Sequence, residues 1–310
     1  MPDLGWLTQP AVFPWVALAA GLCIGSFLNV VIHRLPRMME REWLDDIPSA
    51  IEESVLLKGI SDATRLAGEL RDLTKDKLDK RYGIAVPRSR CPSCGHQISA
   101  LQNIPLVSYA LLRGKCASCG ARIGLRYPVV ELLAGIAAWY GASRYGPTMQ
   151  ALAAIVFVWA VIALAFIDQD WGILPDDITL SLLWFGLLVN LSGTFVPLRE
   201  AVIGAAAGYL SLWAVNATFK LIRGVDGMGM GDFKMTAAVG AYLGWKVLFL
   251  VITMSAIVGA VFGLVQMVAA RRGWDGMFKF HFGPYIAMAG VVVLFWGKEI
   301  TTRFPAFKIY

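Results

Sequence analysis

Residues 149–168 read MQALAAIVFVWAVIALAFID, an apolar run that carries no charge until its final aspartate. A helix rises about 1.5 Å per residue, so a run of this length covers about 30 Å, the thickness of a bilayer's hydrocarbon core. It reads as a transmembrane helix whose terminal Asp168 stands where lipid meets water.

Comparable runs lie on both sides of it, near 11–32, 128–143, 178–196, 201–219, 233–244, 247–269 and 283–297. The expected fold is therefore an all-α polytopic membrane protein of about eight transmembrane helices. The run near 233–244 is too short to cross alone and is expected to begin in the preceding loop or to line a cavity. Composition agrees: 57% hydrophobic and 16% charged residues over 310 positions leave too little polar surface to coat a soluble globule. The first run is long enough to span and has no basic segment before it, so it is expected to be a retained helix and not a signal peptide.

Between the first two runs stands a polar stretch, residues 33–127, that holds 16 of the 28 Lys and Arg residues interleaved with acids. That mixture beside a head-group surface accounts for the formal net charge of +6 without a nucleic-acid partner. Basic residues at span ends set the orientation. Arg34, Arg37, Arg41, Arg122, Arg126, Lys220, Arg223, Lys234, Arg271, Arg272 and Lys279 gather on one side, whereas the opposite loops carry single charges, Arg144, Arg199 and Lys246. The long loop is expected in the cytoplasm and the N-terminus outside; Lys298, Arg303 and Lys308 in the tail strain that arrangement mildly. Within the loop, Val55, Leu56, Ile60, Leu66, Leu70, Leu73 and Leu78 recur at a helical spacing, predicting one or two amphipathic helices over 49–82.

The same loop contains Cys91-Pro-Ser-Cys94 and Cys116-Ala-Ser-Cys119, each followed directly by glycine. Two residues between thiolates let both sulfurs of a turn point at one ion, and two such turns complete a tetrahedral zinc site. A four-thiolate site has no open position for substrate, so the expected role is to fold the loop. His96 is expected to be an exposed bystander and Cys23 an apolar packer within its span.

Carboxylates are costly in lipid, which draws attention to acids at span ends. Asp168 closes one span, Asp170, Asp176 and Asp177 follow in the next turn, and Asp232 opens the sixth run after Gly227-Met-Gly-Met-Gly231. The glycines allow close approach of a neighbouring helix or an extended peptide. Two aspartates brought together share one proton, so the ionised partner can activate water while the protonated one polarises a peptide carbonyl. Asp170 and Asp177 are expected to be interfacial helix caps, with Asp176 in reserve for the dyad.

Taken in order, residues 25–36 (GSFLNVVIHRLP), the double CxxC loop, 103–109 (NIPLVSY), 126–131 (RYPVVE), 166–168 (FID), 174–180 (LPDDITL) and 229–232 (GMGD) resemble the bifunctional type IV prepilin leader peptidases. The likeness spans nearly the whole chain. It implies catalytic aspartates at Asp168 and Asp232, the latter closing a GxGD motif. It also implies cleavage of a short basic leader from prepilins or type II secretion pseudopilins at the cytoplasmic face of the bacterial inner membrane. N-methylation of the new terminus with S-adenosylmethionine would follow, and the cysteine loop goes with the methylating members.

The expected division is 1–32 as an N-terminal transmembrane helix, 33–127 as a cytoplasmic loop with its zinc module at 91–119, and 128–310 as the transmembrane peptidase domain. No glycine-rich nucleotide fingerprint marks a methyl-donor site, for which Asn29, His33, Arg34 and Glu131 are open candidates. The acidic positions Glu40, Glu42, Asp45, Asp46, Glu52 and Glu53 could attract a basic leader or simply form a solvated helix face. A GxGD protease without methyl transfer and a zinc-regulated transporter are the alternative readings.

Overall fold

The computed structural model describes residues 9–54, 61–78, 82–99, 101–269 and 281–303. Among these the chain is all-helical, with two isolated β-bridges in place of any strand. The α-helices in chain order are α1 (Phe13–Glu53), α2 (Ser61–Leu78), α3 (Val107–Leu111), α4 (Arg126–Tyr145), α5 (Met149–Trp171), α6 (Asp176–Val189), α7 (Leu198–Arg223), α8 (Met230–Leu243), α9 (Leu248–Ala269) and α10 (Gly283–Arg303).

A helix stands at each of the eight apolar runs. By length and composition α1, α5, α7, α9 over Leu248–Gln266, and α10 can cross a membrane, which makes this a multi-pass protein. Length alone does not carry the count to eight. Helices α6 and α8 have 14 residues each, about 21 Å, and fall short of the hydrocarbon thickness. The sixth run behaves as foreseen: α8 begins inside the preceding loop, at Met230, and residues 235–243 are all buried in protein.

Helix α1 departs from expectation by continuing past residue 32 to Glu53, 41 residues in all and about 61 Å, roughly twice the thickness of a bilayer's hydrocarbon core. Neither Pro36 nor Pro48 ends it, and the intervening Arg, Met, Glu and Leu residues favour helix. Helix α2 packs back along it, with Arg71 and Glu52 paired at 3.4 Å. The amphipathic segment predicted over 49–82 is thus the end of α1 together with α2, on which Leu66 and Leu73 are exposed. Val55, Leu56 and Ile60 lie outside the described residues, as do Arg271, Arg272, Lys279 and Lys308.

Small residues set the closest helix contacts. On α1, Gly21 and Gly25 lie against Ala134, Ala138 and Glu131 of α4, where an added Cβ would come within 2.6–2.7 Å of neighbouring atoms. Gly204 of α7 and Gly240 of α8 meet backbone to backbone, and a Cβ on Gly208 would fall 2.6 Å from Thr236 O. Such contacts let helices associate by close packing where lipid offers no hydrophobic drive. Asn190, fully buried, closes the far end of α8: its Nδ2 donates to Ala241 O (2.9 Å) and Tyr242 O (3.0 Å), and its Oδ1 accepts from Phe195 and Val196 N–H. The terminal carbonyls of a buried helix are satisfied in this way. The result is a frame of α6, α7 and α10 around α8, which α5 joins through Phe157, its ring 4.8 Å from that of Tyr242.

Candidate active site and metal centre

Helix α5 ends because Gly172 adopts a left-handed conformation (φ 65°) and donates its N–H to Asp168 O at 2.8 Å. Asp168 therefore occupies the last turn, with 6% of its surface exposed. Asp232 occupies the first turn of α8, where a carboxylate is favoured by the helix dipole, and is 9% exposed. Gly229 supplies the N-cap, and Gly231 abuts Leu174, whose Cβ would stand 2.8 Å from a Cβ placed there. Leu174 also touches the space over Gly283, which lies directly against Asp168. The two aspartates thus converge from opposite helix ends, with Leu174 and Gly283 beside them.

The other acids are engaged elsewhere. Asp170 Oδ2 pairs with Arg126 Nη1 at 2.5 Å, and Asp176 receives Lys234 Nζ on both oxygens at 2.7 Å. Asp177 is exposed in the first turn of α6. Asp176, the reserve candidate, is set apart by its ion pair with Lys234 from the two buried carboxyls, neither of which forms a salt bridge among the described residues.

Two features near this site were not foreseen. Asn216 of α7 organises the glycine loop ahead of Asp232: its Oδ1 accepts from Gly227 N–H (2.9 Å) and Met228 N–H (3.1 Å), while its Nδ2 donates to Asp226. Asp226 also accepts from Lys220 at 2.9 Å, and that bond, with the Asn216 one, holds its carboxyl below the usual range. At the opening of α10, Gly283 N–H donates to Asp168 Oδ2 at 3.1 Å, with His281 close by. The sequence signal at 281–284 is that of a helix start before proline, which says nothing of a carboxylate.

The four cysteines of the loop come together. Their sulfurs all lie within 4.8 Å of one another, with Cys91 and Cys119 Sγ 3.9 Å apart, so they could hold a metal ion. Tetrahedral zinc with bonds of about 2.3 Å would set its ligand sulfurs about 3.8 Å apart, which this donor set fits. The two halves are built alike. Cys91 N–H donates to His96 O (2.9 Å) and Cys116 N–H to Ala121 O (2.8 Å); Gly95 and Gly120, both at φ 71°, turn the chain after each pair. The Cys94 and Ser93 backbone N–H groups hold the Cys91 thiol down at about 6, which favours the thiolate that metals bind. His96 is exposed and contributes its carbonyl, not its ring, to the turn.

Of the candidates for a methyl-donor site, Arg34 and Glu131 bond to this loop, Asn29 to the first turn of α4 and His33 to its own helix. Buried Arg34 donates to Gly83 O (2.9 Å), Ile84 O (3.1 Å) and Pro87 O (2.5 Å). Asn29 Nδ2 reaches Tyr127 O at 3.0 Å, and Glu131 Oε2 accepts from the N–H of Leu106, a residue held at φ 56°. His33 contacts Arg37 on its own helix.

A helical bundle with five helices able to cross a membrane, two buried aspartates and a four-thiol loop defines a multi-pass membrane protein with a metal-capable module. Residues 19–145 match the bacterial peptidase A24 N-terminal domain, and residues 155–264 match the type IV leader peptidase family. Three proteins called prepilin leader peptidase/N-methyltransferase are similar over almost their full length. That of Aeromonas salmonicida is 46% identical over 96% of this chain and 94% of its own, and that of Stutzerimonas stutzeri is 44% identical over 97% and 96%. That of Pseudomonas aeruginosa is 43% identical over 99% of both chains. The chain belongs to the prepilin leader peptidase/N-methyltransferase family. No solved structure matches it.

Proposed function

We propose that this chain hydrolyses the bond between leader and mature segment in type IV prepilins, pseudopilins or both, with Asp168 and Asp232 as the catalytic pair, and then methylates the new N-terminal amine. The observation that carries the peptidase assignment is the convergence of these two buried carboxyls from the end of α5 and the start of α8, while Asp170 and Asp176 are consumed in ion pairs. A substrate helix lying in lipid beside the bundle would bring its scissile bond to that level, with its basic leader in the cytoplasm.

In the dyad, the ionised carboxylate takes a proton from water as the water oxygen adds to the peptide carbonyl carbon, and the protonated partner donates to the carbonyl oxygen. Collapse of the tetrahedral species breaks the C–N bond, with a proton delivered to the departing amine. Asp168→Asn and Asp232→Asn should each lower cleavage of a purified prepilin by about three orders of magnitude, because each removes one proton-transfer group. Helical content by circular dichroism should stay unchanged. Wild-type cleavage by both variants would remove the assignment.

For the loop, we infer a structural zinc ion on Cys91, Cys94, Cys116 and Cys119, facing the cytoplasm. S-adenosylmethionine would supply the methyl group. Arg34 and Glu131 bond the loop to α1 and α4 and so give it a fixed position relative to the freed amine. The chain then divides into an N-terminal transmembrane helix at 1–32, a loop unit at 33–127 and a peptidase unit at 128–310. The C-terminal half of α1 belongs with the loop unit in this division.

A further inference from the structure

The segment 281–283 wraps the end of α5 and reaches Asp168 in two ways. His281 packs over the helix-ending Gly172, so that a Cβ on Gly172 would stand 3.2 Å from His281 Nε2. Two residues on, Gly283 N–H donates to Asp168 Oδ2 at 3.1 Å. Gly283 itself is pressed against the carboxyl: a Cβ there would lie 2.6 Å from Asp168 Oδ2, 3.2 Å from its Cγ and 3.3 Å from Leu174 Cδ1. The backbone angle at Gly283 is not in the left-handed region. What excludes a side chain is therefore the carboxylate and not the turn.

Helix α10 is anchored independently of this contact. Gly290, two turns further along, lies against Phe157 and Val239 of the core, and the α10 face carrying Ile286, Ala287, Ala289 and Val293 is buried. The start of α10 is thus a rigid platform with its first N–H aimed at one oxygen of Asp168. A backbone donor on a fixed helix end holds a carboxyl rotamer without the freedom of a side-chain donor.

We propose that Gly283 is a positioning residue of the peptidase site. Its N–H engages Oδ2 and fixes the Asp168 carboxyl plane, leaving Oδ1 for proton transfer with water and substrate, and its missing side chain leaves room for that geometry. The inference rests on the assignment of Asp168 to the catalytic pair.

The test is steady-state cleavage of a purified prepilin by the full-length protein in detergent or nanodiscs, with methylation of an already cleaved pilin followed in parallel. In Gly283→Ala the added methyl forces the carboxyl aside. Cleavage kcat should fall on the order of 10- to 100-fold, since displacement of a reacting group by about 1 Å costs that much. KM should change less than about threefold and methylation should persist, because neither depends on the Asp168 rotamer. Gly290→Ala serves as the packing control, because its Cβ would crowd Phe157 Cζ at 3.2 Å without touching the dyad. It should keep kcat even if its melting temperature falls as far as that of Gly283→Ala.

Wild-type kcat in Gly283→Ala would overturn the proposal, as would an equal kcat loss in Gly290→Ala at matched stability, or a parallel loss of methylation. If Asp168→Asn is inactive while Gly283→Ala is not, this inference alone fails. If Asp168→Asn still cleaves, the catalytic assignment fails first.

Discussion

Lys234 and Asp232 sit two positions apart on α8 and serve different partners. Lys234 spends its charge on Asp176, a contact between half-exposed groups that is worth about 0–1 kcal/mol. Asp176→Asn should therefore retain prepilin cleavage within about tenfold of wild type; a loss as deep as that of Asp168→Asn would return Asp176 to the dyad. Tyr242 makes the opposite case. Its ring packs among Phe157, Phe185 and Phe195, and its hydroxyl is buried with no hydrogen-bond partner among the described residues. Leaving a buried hydroxyl unsatisfied costs about 1–3 kcal/mol. Tyr242→Phe should thus leave the melting temperature unchanged or raise it by a few degrees, and a clear fall would mean that the hydroxyl has a partner.

Among the elements, α7 and α8 depend most on having no side chains at their crossing. Gly204 and Gly240 touch through their backbones, so Gly240→Val cannot be absorbed by a rotamer change and must push the helices apart. Overpacking of this kind costs about 1–3 kcal/mol or more. Because α8 carries Asp232, both thermal stability and cleavage should drop together, and an unaffected variant would show that the crossing is looser than described. The cysteine module should respond differently. Cys91→Ser with Cys94→Ser removes half of the ligand set, and chelation would remove the inferred ion; either should loosen residues 82–125 to hydrogen exchange and proteolysis. Methylation should fall by more than cleavage does. Equal loss of both activities, or of neither, would contradict a folding role confined to the loop.

At the scale of the molecule, the segment ahead of the cysteine module is tied to α1 by Arg34, which makes three bonds to it from within that helix. Arg34→Met keeps the apolar stem and deletes the donors, leaving three carbonyls without their partner. It should uncouple the loop from the membrane face and reduce methylation at least as strongly as cleavage, measured on the same substrate; unchanged methylation would show that other contacts suffice.

The sequence by itself determined the helices, the four-thiol centre and the GxGD motif, because each is written in local terms: an apolar run as long as a bilayer is thick, thiols two residues apart, an aspartate at a helix start. It did not determine that α1 runs on to Glu53, since a proline inside a helix removes a backbone bond and α1 nonetheless continues through Pro36 and Pro48. Nor could it choose between Asp168, Asp170 and Asp176 without a family likeness, or show that Arg34 and Glu131 bond to the loop. Those choices depend on residues such as Arg126, Lys234, Asn216 and Gly283, which stand far from the aspartates in the chain or bear no chemical signature of their own. Only the packing of α5, α8 and α10 decides which carboxyl is paired with a cation, which is left buried, and which backbone N–H is aimed at it.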